Sequence, residues 1–400
     1  MSSKIVRLCL LLGAVVLLIA LAAAPALATG RAAAKVALGA LIAGDRSLSA
    51  PDGQSCADCH FPAAGYSDPD QDLPVSRGVD PLDFGGRNAP TWAYTAWSPD
   101  LYPEIDEEGG VTWIGGMFWD GRATGWELSP LAEQARGPFL NPVEMQNPSK
   151  AAVIREVRRA PYAGLFRLVF GRNSLKNVDA AYDNVARAIA AYESSRLVNT
   201  FSSRYDAYMA GRSSALNAQE KRGLALFNGD RALCSQCHPS TPDPAISTGI
   251  ATGKALFTDY TYDNLGIPKN PAYGLPPLNF DIDDVDLGLG DFLRTTADYS
   301  AYADGADGLF KVSTLRNIAL TAPYGHNGYF ATLKEIVHFY NTRDVAGSAP
   351  GGGDWPAPEV PVNVNRDELG NLGLTDAEED DIVAFLKTLT DRVIVPILIR

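Results

Sequence analysis

Residues that bind metals or carry redox chemistry are scarce in this chain. Its 400 residues include 5 cysteines, 4 histidines and 4 methionines. That is too few cysteines for a disulfide-stapled scaffold of this length. Basic charge is also short: 34 lysines and arginines face 47 acids, a formal balance of −13. So acidic a surface excludes nucleic acid as a partner and favours basic proteins, with an attraction that weakens as salt rises. Disorder is excluded too, because 46% of residues are hydrophobic and only 20% charged. The length allows two domains, each with its own core.

The one long apolar run is at the start. Lys4 and Arg7 precede apolar residues from Leu8 to Ala24, followed by Ala26-Leu27-Ala28. A charged start, an apolar middle and a small-residue site predict a secretory signal peptide over residues 1–28. An uncleaved membrane anchor is the alternative, since the run nearly suffices to span a bilayer. Cys9 lies inside this segment and is assigned no role. Cleavage would remove two basic charges and no acid, moving the balance to −15 (32 basic against 47 acidic residues). The expected location is the periplasm, with no stable membrane insertion after cleavage.

The remaining four cysteines are not scattered. They fall in Cys56-Ala57-Asp58-Cys59-His60 and Cys234-Ser235-Gln236-Cys237-His238. Each is the attachment signature of a c-type haem. Two thiols two residues apart can each bond one porphyrin vinyl group, and the adjacent histidine then reaches the iron as its proximal ligand. One such run could equally be a zinc or thiol–disulfide site. Two runs that hold every remaining cysteine and half the histidines point to two covalently bound haem c groups.

The flanks repeat as well. Leu38-Gly39-Ala40-Leu41-Ile42-Ala43-Gly44-Asp45-Arg46 parallels Arg222-Gly223-Leu224-Ala225-Leu226-Phe227-Asn228-Gly229-Asp230-Arg231. An apolar helix end, a Gly-Asp-Arg turn and a short spacer precede the haem run in both places. The expected fold is mostly α, with two cytochrome c-like haem domains and long irregular loops. The N-terminal domain would span residues 29–205 and the C-terminal domain 206–400, with a polar junction between Arg196 and Ser214. Helical spacing predicts helices over Ala32–Ile42, Ser149–Ala160, Val178–Ser195 and Thr375–Leu389, the last opened by a Thr375/Glu378 capping box. Asn217 and Glu220 make another box before the second haem run. Phe61–Pro148 and Pro239–Ala306 read as loops. Within the latter, Asp281–Asp286 lacks the glycine and closing glutamate of a calcium hand and reads as a solvated acidic loop.

Each iron has a second axial position to fill. After the signal the only methionines are Met117, Met145 and Met209, none beyond the second haem run, and the only other histidines are His326 and His338. The first haem is therefore expected to lack a sixth protein ligand. An open iron binds small oxidants, whereas a closed one passes electrons.

The stretch from Thr314 to Gly328, together with Phe118-Trp119-Asp120-Gly121-Arg122, Glu133-Gln134-Ala135, Asn141-Pro142-Val143-Glu144-Met145 and Gly86-Arg87-Asn88-Ala89-Pro90, resembles the bacterial di-haem cytochrome c peroxidases and the related MauG proteins. The resemblance spans roughly residues 35–390. It implies that Gln134 and Glu144 face the peroxide site of the first haem, where a carboxylate can shuttle a proton and an amide can hold the peroxide. It implies that Trp119 relays electrons between the haems, and that Asn88, Thr321 and Pro323 supply oxygens to a Ca2+ between them. Two departures from the peroxidases matter. Ser76 stands where they carry a displaceable histidine, and Tyr340 where they carry the methionine ligand of the second haem. MauG-type members share both features. An anionic phenolate on the second iron lowers its potential where methionine raises it. His338, two residues away on the same helix, would face elsewhere. Trp119 and Gln134 are also five residues further apart than the family pattern suggests, through Gly125-Trp126-Glu127-Leu128-Ser129.

Three functions remain open. One is a periplasmic peroxidase reducing hydrogen peroxide with electrons from a small cytochrome c or cupredoxin. Another is a MauG-like enzyme that oxidises tryptophan or another residue of a partner protein. The third is a non-catalytic di-haem electron carrier.

Overall fold

The computed structural model describes residues 30–242 and 253–392. The expected signal segment, residues 1–28, lies outside them. The described chain is mostly helical, with two small two-stranded sheets. None of its helices is long and apolar enough to cross a membrane.

In the N-terminal half, α1 (Arg31–Ala43) leads to α2 (Cys56–Cys59), a single turn carrying the first haem run. After a long loop come the hairpin β1 (Tyr102–Ile105) and β2 (Val111–Ile114), then α3 (Pro130–Leu140), α4 (Lys150–Arg159), α5 (Ala163–Phe170) and α6 (Val178–Glu193). The C-terminal half runs α7 (Arg204–Met209), α8 (Ala218–Phe227), α9 (Cys234–Cys237), β3 (Tyr262–Asp263), α10 (Leu289–Arg294), β4 (Phe310–Lys311), α11 (Leu333–Thr342) and α12 (Asp376–Lys387). Residues 38–190 supply one core, around Ile42, Val153, Ile154, Phe166, Val185 and Ile189. Residues 205–389 supply a second, around Phe227, Phe257, Phe339, Ile382 and Phe385.

The sequence repeat has a tertiary counterpart. α1 packs on α6 in the first half and α8 on α12 in the second. The paired glycines stand at these crossings. A Cβ on Gly39 would lie 1.9 Å from the Ala188 carbonyl oxygen, and one on Gly223 would lie 1.9 Å from that of Asp381. Only a residue without a side chain lets either helix pair approach so closely.

Helices α1, α4, α6 and α12 lie where the apolar spacing predicts, and both expected capping boxes are formed. The loop readings need correction, and Pro239–Ala306 holds β3 and α10 rather than loop alone. The stretch 61–148 is not wholly irregular: it holds the β1–β2 hairpin and α3, which starts on the Ser129 cap with Pro130 in its first turn. Pro138 inside α3 interrupts its periodicity, and that hides the helix from the sequence. The polar passage at 196–214 contains α7, opened by a Ser203/Asp206 capping box. Asp281, Asp283 and Asp284 are solvated, but Asp286 is not. It clamps Arg87, at 2.6 and 2.7 Å, and Arg87 in turn bonds Asp120 at 2.5 Å.

Candidate di-haem active site

α2 is held in place by its own cap. The Ser55 hydroxyl and backbone amide both donate to the Asp58 carboxylate at 2.8 Å, and Arg46 pairs with Asp58 from outside. One residue beyond the helix, the His60 ring stacks on Trp92 with 4.6 Å between centroids. Its Nδ1 lies 3.1 Å from the Tyr66 carbonyl oxygen. That partner fixes the tautomer with Nε2 free, the arrangement of a metal-ligating imidazole. Burial pushes the ring's pKa down to about 4, against the opposing pull of the Tyr66 and Pro90 backbone carbonyls, so the imidazole stays neutral. The second run repeats the arrangement: His238 Nδ1 lies 2.8 Å from the Phe257 carbonyl oxygen.

The four cysteines form no disulfide. Burial, ahead of every other cause, pushes Cys56 and Cys234 up to about 12. Exchange-active thiols have lowered values instead, so this environment speaks against a thiol–disulfide site. A haem fits better. Cys234, Cys237, His238 and Tyr340 line one cavity of about 220 Å³, walled mainly by apolar side chains such as Leu265, Ile267, Leu333 and Leu386.

Tyr340, on α11, makes no hydrogen bond through its hydroxyl among the described residues. Burial raises its pKa well above the ordinary phenol value, with the Cys237, Asp263 and Cys234 charges adding to the rise. The bare phenol is therefore neutral, and a cation at the iron position would be needed to ionise it. His338 faces away, as expected. Its Nδ1 lies 2.9 Å from Glu379 and its Nε2 2.8 Å from the Ser348 carbonyl, so both nitrogens are engaged. His326 also reaches the cavity, stacked on Phe310 with 3.5 Å between centroids. Its Nε2 is buried without a hydrogen bond among the described residues, 4.0 Å from Glu359.

Asn88, Thr321, Pro323 and Trp119 share the cavity wall. Trp119 Nε1 donates to the Asn88 carbonyl at 2.8 Å, Asn88 Nδ2 to the Pro74 carbonyl at 3.0 Å, and the Asn88 amide to the His326 carbonyl at 2.8 Å. Trp119 also lines a second cavity of about 40 Å³ with Phe118, Tyr260 and Lys311.

Gln134 sits on the second turn of α3, and Glu144 in the turn that follows this helix. Gln134 is buried, and its amide has no hydrogen-bond partner among the described residues. Glu144 accepts from Asn141 Nδ2 at 2.7 Å. Burial raises its pKa, opposed by the Arg122 charge and the Asn141 bond. The charge of Glu144 acts on both Cys56 and Cys59, the thiols of the first haem run. Ser76 acts on the Cys59 thiol from the same side of the molecule, and its own Oγ is buried without a hydrogen-bond partner among the described residues.

Two groups were not foreseen from the sequence. Glu193, at the end of α6, is fully buried, both carboxylate oxygens lack partners among the described residues, and its charge acts on Cys56. Burial alone pushes it up to about 8. Its position four residues after Ile189, on the apolar stripe of α6, is the signal that could have revealed it. Lys311 is half-buried, and its Nζ donates to the Gly115 carbonyl at 2.8 Å. Burial brings its pKa down to about 7, against the pull of Asp259.

Comparison with known proteins agrees with this geometry. The family model described as "Di-haem cytochrome c peroxidase" matches residues 33–214. The chain is 38% identical over 375 residues to the methylamine utilization protein MauG of Paracoccus denitrificans, covering 91% of this chain and 90% of that protein. It is 30% identical over 367 residues to the cytochrome-c peroxidase IdrP1 of Denitromonas iodatirespirans, covering 89% and 81% respectively. The crystal structure of the diheme peroxidase BthA from Burkholderia thailandensis superposes with a TM-score of 0.76 at 34% identity, covering 90% of this chain and 87% of that one. With haem-attachment runs in both halves and relatives of this coverage, the chain belongs to the di-haem cytochrome c peroxidase family, which includes MauG.

Proposed function

We propose that this oxidoreductase is a periplasmic di-haem peroxidase that reduces hydrogen peroxide without prior activation. One observation carries the reading: the first haem run has no second histidine at hand. Ser76 stands at Cys59, His326 is stacked on Phe310, and His338 is held by Glu379 and Ser348. Haem at His60 would supply an open iron for peroxide, and haem at His238 a second redox centre. Glu144, whose carboxyl is held above its ordinary pKa by burial, would move a proton between the two peroxide oxygens. The Gln134 amide holds the peroxide through hydrogen bonds. Trp119 bridges the two centres. Asn88, Thr321 and Pro323 would hold Ca2+ through side-chain and backbone oxygens. The division into haem domains at residue 205, the periplasmic address and a small cytochrome c or cupredoxin as donor belong to the same reading.

A second reading is favoured by Tyr340. A tyrosinate on the second iron suits storage of oxidising equivalents, as in a MauG-like enzyme acting on an aromatic residue of a partner protein. Loading the protein with haem and adding peroxide tests both. Turnover in the fully oxidised state is expected. A strict need for half-reduction would mean that a displaceable ligand covers the first iron. Wholly low-spin electron paramagnetic resonance would say the same and would favour a carrier.

A further inference from the structure

Five aromatic side chains connect the region of Trp119 to the protein surface. Trp126 belongs to the extra segment Gly125–Ser129, is 47% exposed, and donates through Nε1 to the Leu101 carbonyl at 3.1 Å. Its ring lies 5.6 Å from that of Tyr299, and Tyr299 lies 5.1 Å from the buried Trp113. Ile114 bridges Thr261 in antiparallel fashion, so Trp113 and Tyr262 are direct cross-strand neighbours within one apolar cluster. Such pairs bring their Cβ atoms to about 5 Å. Tyr262 pairs in register with Lys311, whose Nζ sits 5.3 Å from the Tyr262 ring centre and 5.1 Å from that of Tyr260. The Lys311 amide donates to the Trp119 carbonyl at 2.9 Å, and Tyr260 shares the small cavity with Trp119. No step in this series needs a jump across solvent.

We propose that Trp126, Tyr299, Trp113 and Tyr262 form an electron relay that delivers reducing equivalents from the surface to Trp119, and that Trp126 is where a small basic redox protein docks. The proposal rests on the peroxidase reading. The stoichiometry closes: peroxide takes two electrons and two protons to give two waters, two partner molecules each lose one electron through Trp126, and solvent supplies the protons. Tryptophan and tyrosine are the side chains that can be oxidised and re-reduced in such a series. Around Trp126 the surface is apolar and acidic, with Tyr102 38% and Ile105 56% exposed and Glu104, Asp106, Glu107, Glu108 and Glu127 all exposed. Apolar centre and acidic rim suit a partner with basic residues around its own redox edge. Arg136 pairs with Glu127 and neutralises only part of this rim.

The test uses the haem-loaded full chain. Stoichiometric peroxide is added without reductant, and oxygen incorporation is mapped by peptide mass spectrometry. Trp126 is expected to be labelled in the wild type, and the label should be lost in Tyr299→Phe, which keeps the ring but removes the oxidisable phenol, and in Trp113→Phe. In parallel, Trp126→Phe should lower kcat/KM with reduced mammalian cytochrome c, a basic probe, and leave turnover with guaiacol unchanged. A label on Trp126 that persists in both relay variants, or cytochrome oxidation unaffected by Trp126→Phe, overturns the relay while guaiacol turnover still supports the peroxidase. If the wild type consumes no peroxide with either donor, the peroxidase reading fails and the relay fails with it.

Discussion

At the scale of single residues, two buried oxygen groups decide most of what can be measured. Tyr340 has a free hydroxyl in the cavity of His238 and a pKa raised by burial. Ligation by a cation is the change that would ionise it there. Tyr340→Phe is therefore expected to shift the low-spin signal of the second haem, as read by paramagnetic resonance, and an unchanged spectrum removes tyrosinate from the site. Glu193 is the other group. Its folded pKa of about 8 lies above the ordinary 4.5, so the folded state binds the extra proton between those values. Stability should fall as pH rises from about 5 to 8, by up to about 1.4 kcal/mol per unit. Glu193→Gln should abolish that slope in denaturant titrations, and equal slopes in both proteins would show that Glu193 finds a partner once haem is bound. Gln134 and Glu144 were identified through resemblance rather than spacing. A lone Gln and a lone Glu in a loop read as solvated, and only the burial of Gln134 and the half-burial of Glu144 distinguish them.

At the scale of elements, the two glycine crossings govern packing. Adding one methyl at Gly39 or Gly223 drives a Cβ into a carbonyl of the facing helix. Gly39→Ala or Gly223→Ala should each cost about 1–3 kcal/mol, as overpacked cores do, measured as a lowered urea midpoint of the haem-loaded protein. A neutral result would mean that α1 or α8 can slide along its partner. The repeat of Gly39 and Gly223 was visible in the sequence, but its cause was not, because the partner helices α6 and α12 lie well over a hundred residues downstream. α3 shows the opposite limit. Its Ser129-Pro130 start is an ordinary helix signal, yet the internal Pro138 masks it.

At the scale of the whole molecule, the halves are joined by a buried polar seam. Arg316 is 1% exposed and binds both oxygens of Asp206, at 3.0 and 3.1 Å, and the Ala255 carbonyl at 2.7 Å. Its guanidinium lies 4.8 Å from the Tyr94 ring centre. The Tyr94 hydroxyl donates to Asp391 at 2.6 Å, and Asp391 also accepts from Ser202 at 2.8 Å. Arg316→Met would leave Asp206 buried with a weaker partner and should cost about 3 kcal/mol, seen as a loss of thermal stability. The net charge of −13 acts over a longer range. Turnover with a basic protein donor should fall as salt rises through the physiological range, whereas turnover with guaiacol should not. Salt-insensitive donor kinetics would rule out an electrostatically guided encounter.

The sequence alone showed two haem-attachment runs, marked His60 and His238 as the candidate proximal ligands, and exposed the shortage of sixth ligands. These are matters of covalent spacing and of how few candidate side chains exist. The tertiary structure decided which residue types became chemically special. Glu193, Lys311 and Asp286 are ordinary charges in a one-dimensional reading. Burial without a partner, half-burial against two tyrosine rings and a clamp on Arg87 are properties of what surrounds them, and those surroundings come from segments remote in sequence. Likewise, Trp126 looks like a stray aromatic in a loop until folding lays Tyr299 and Trp113 beside it.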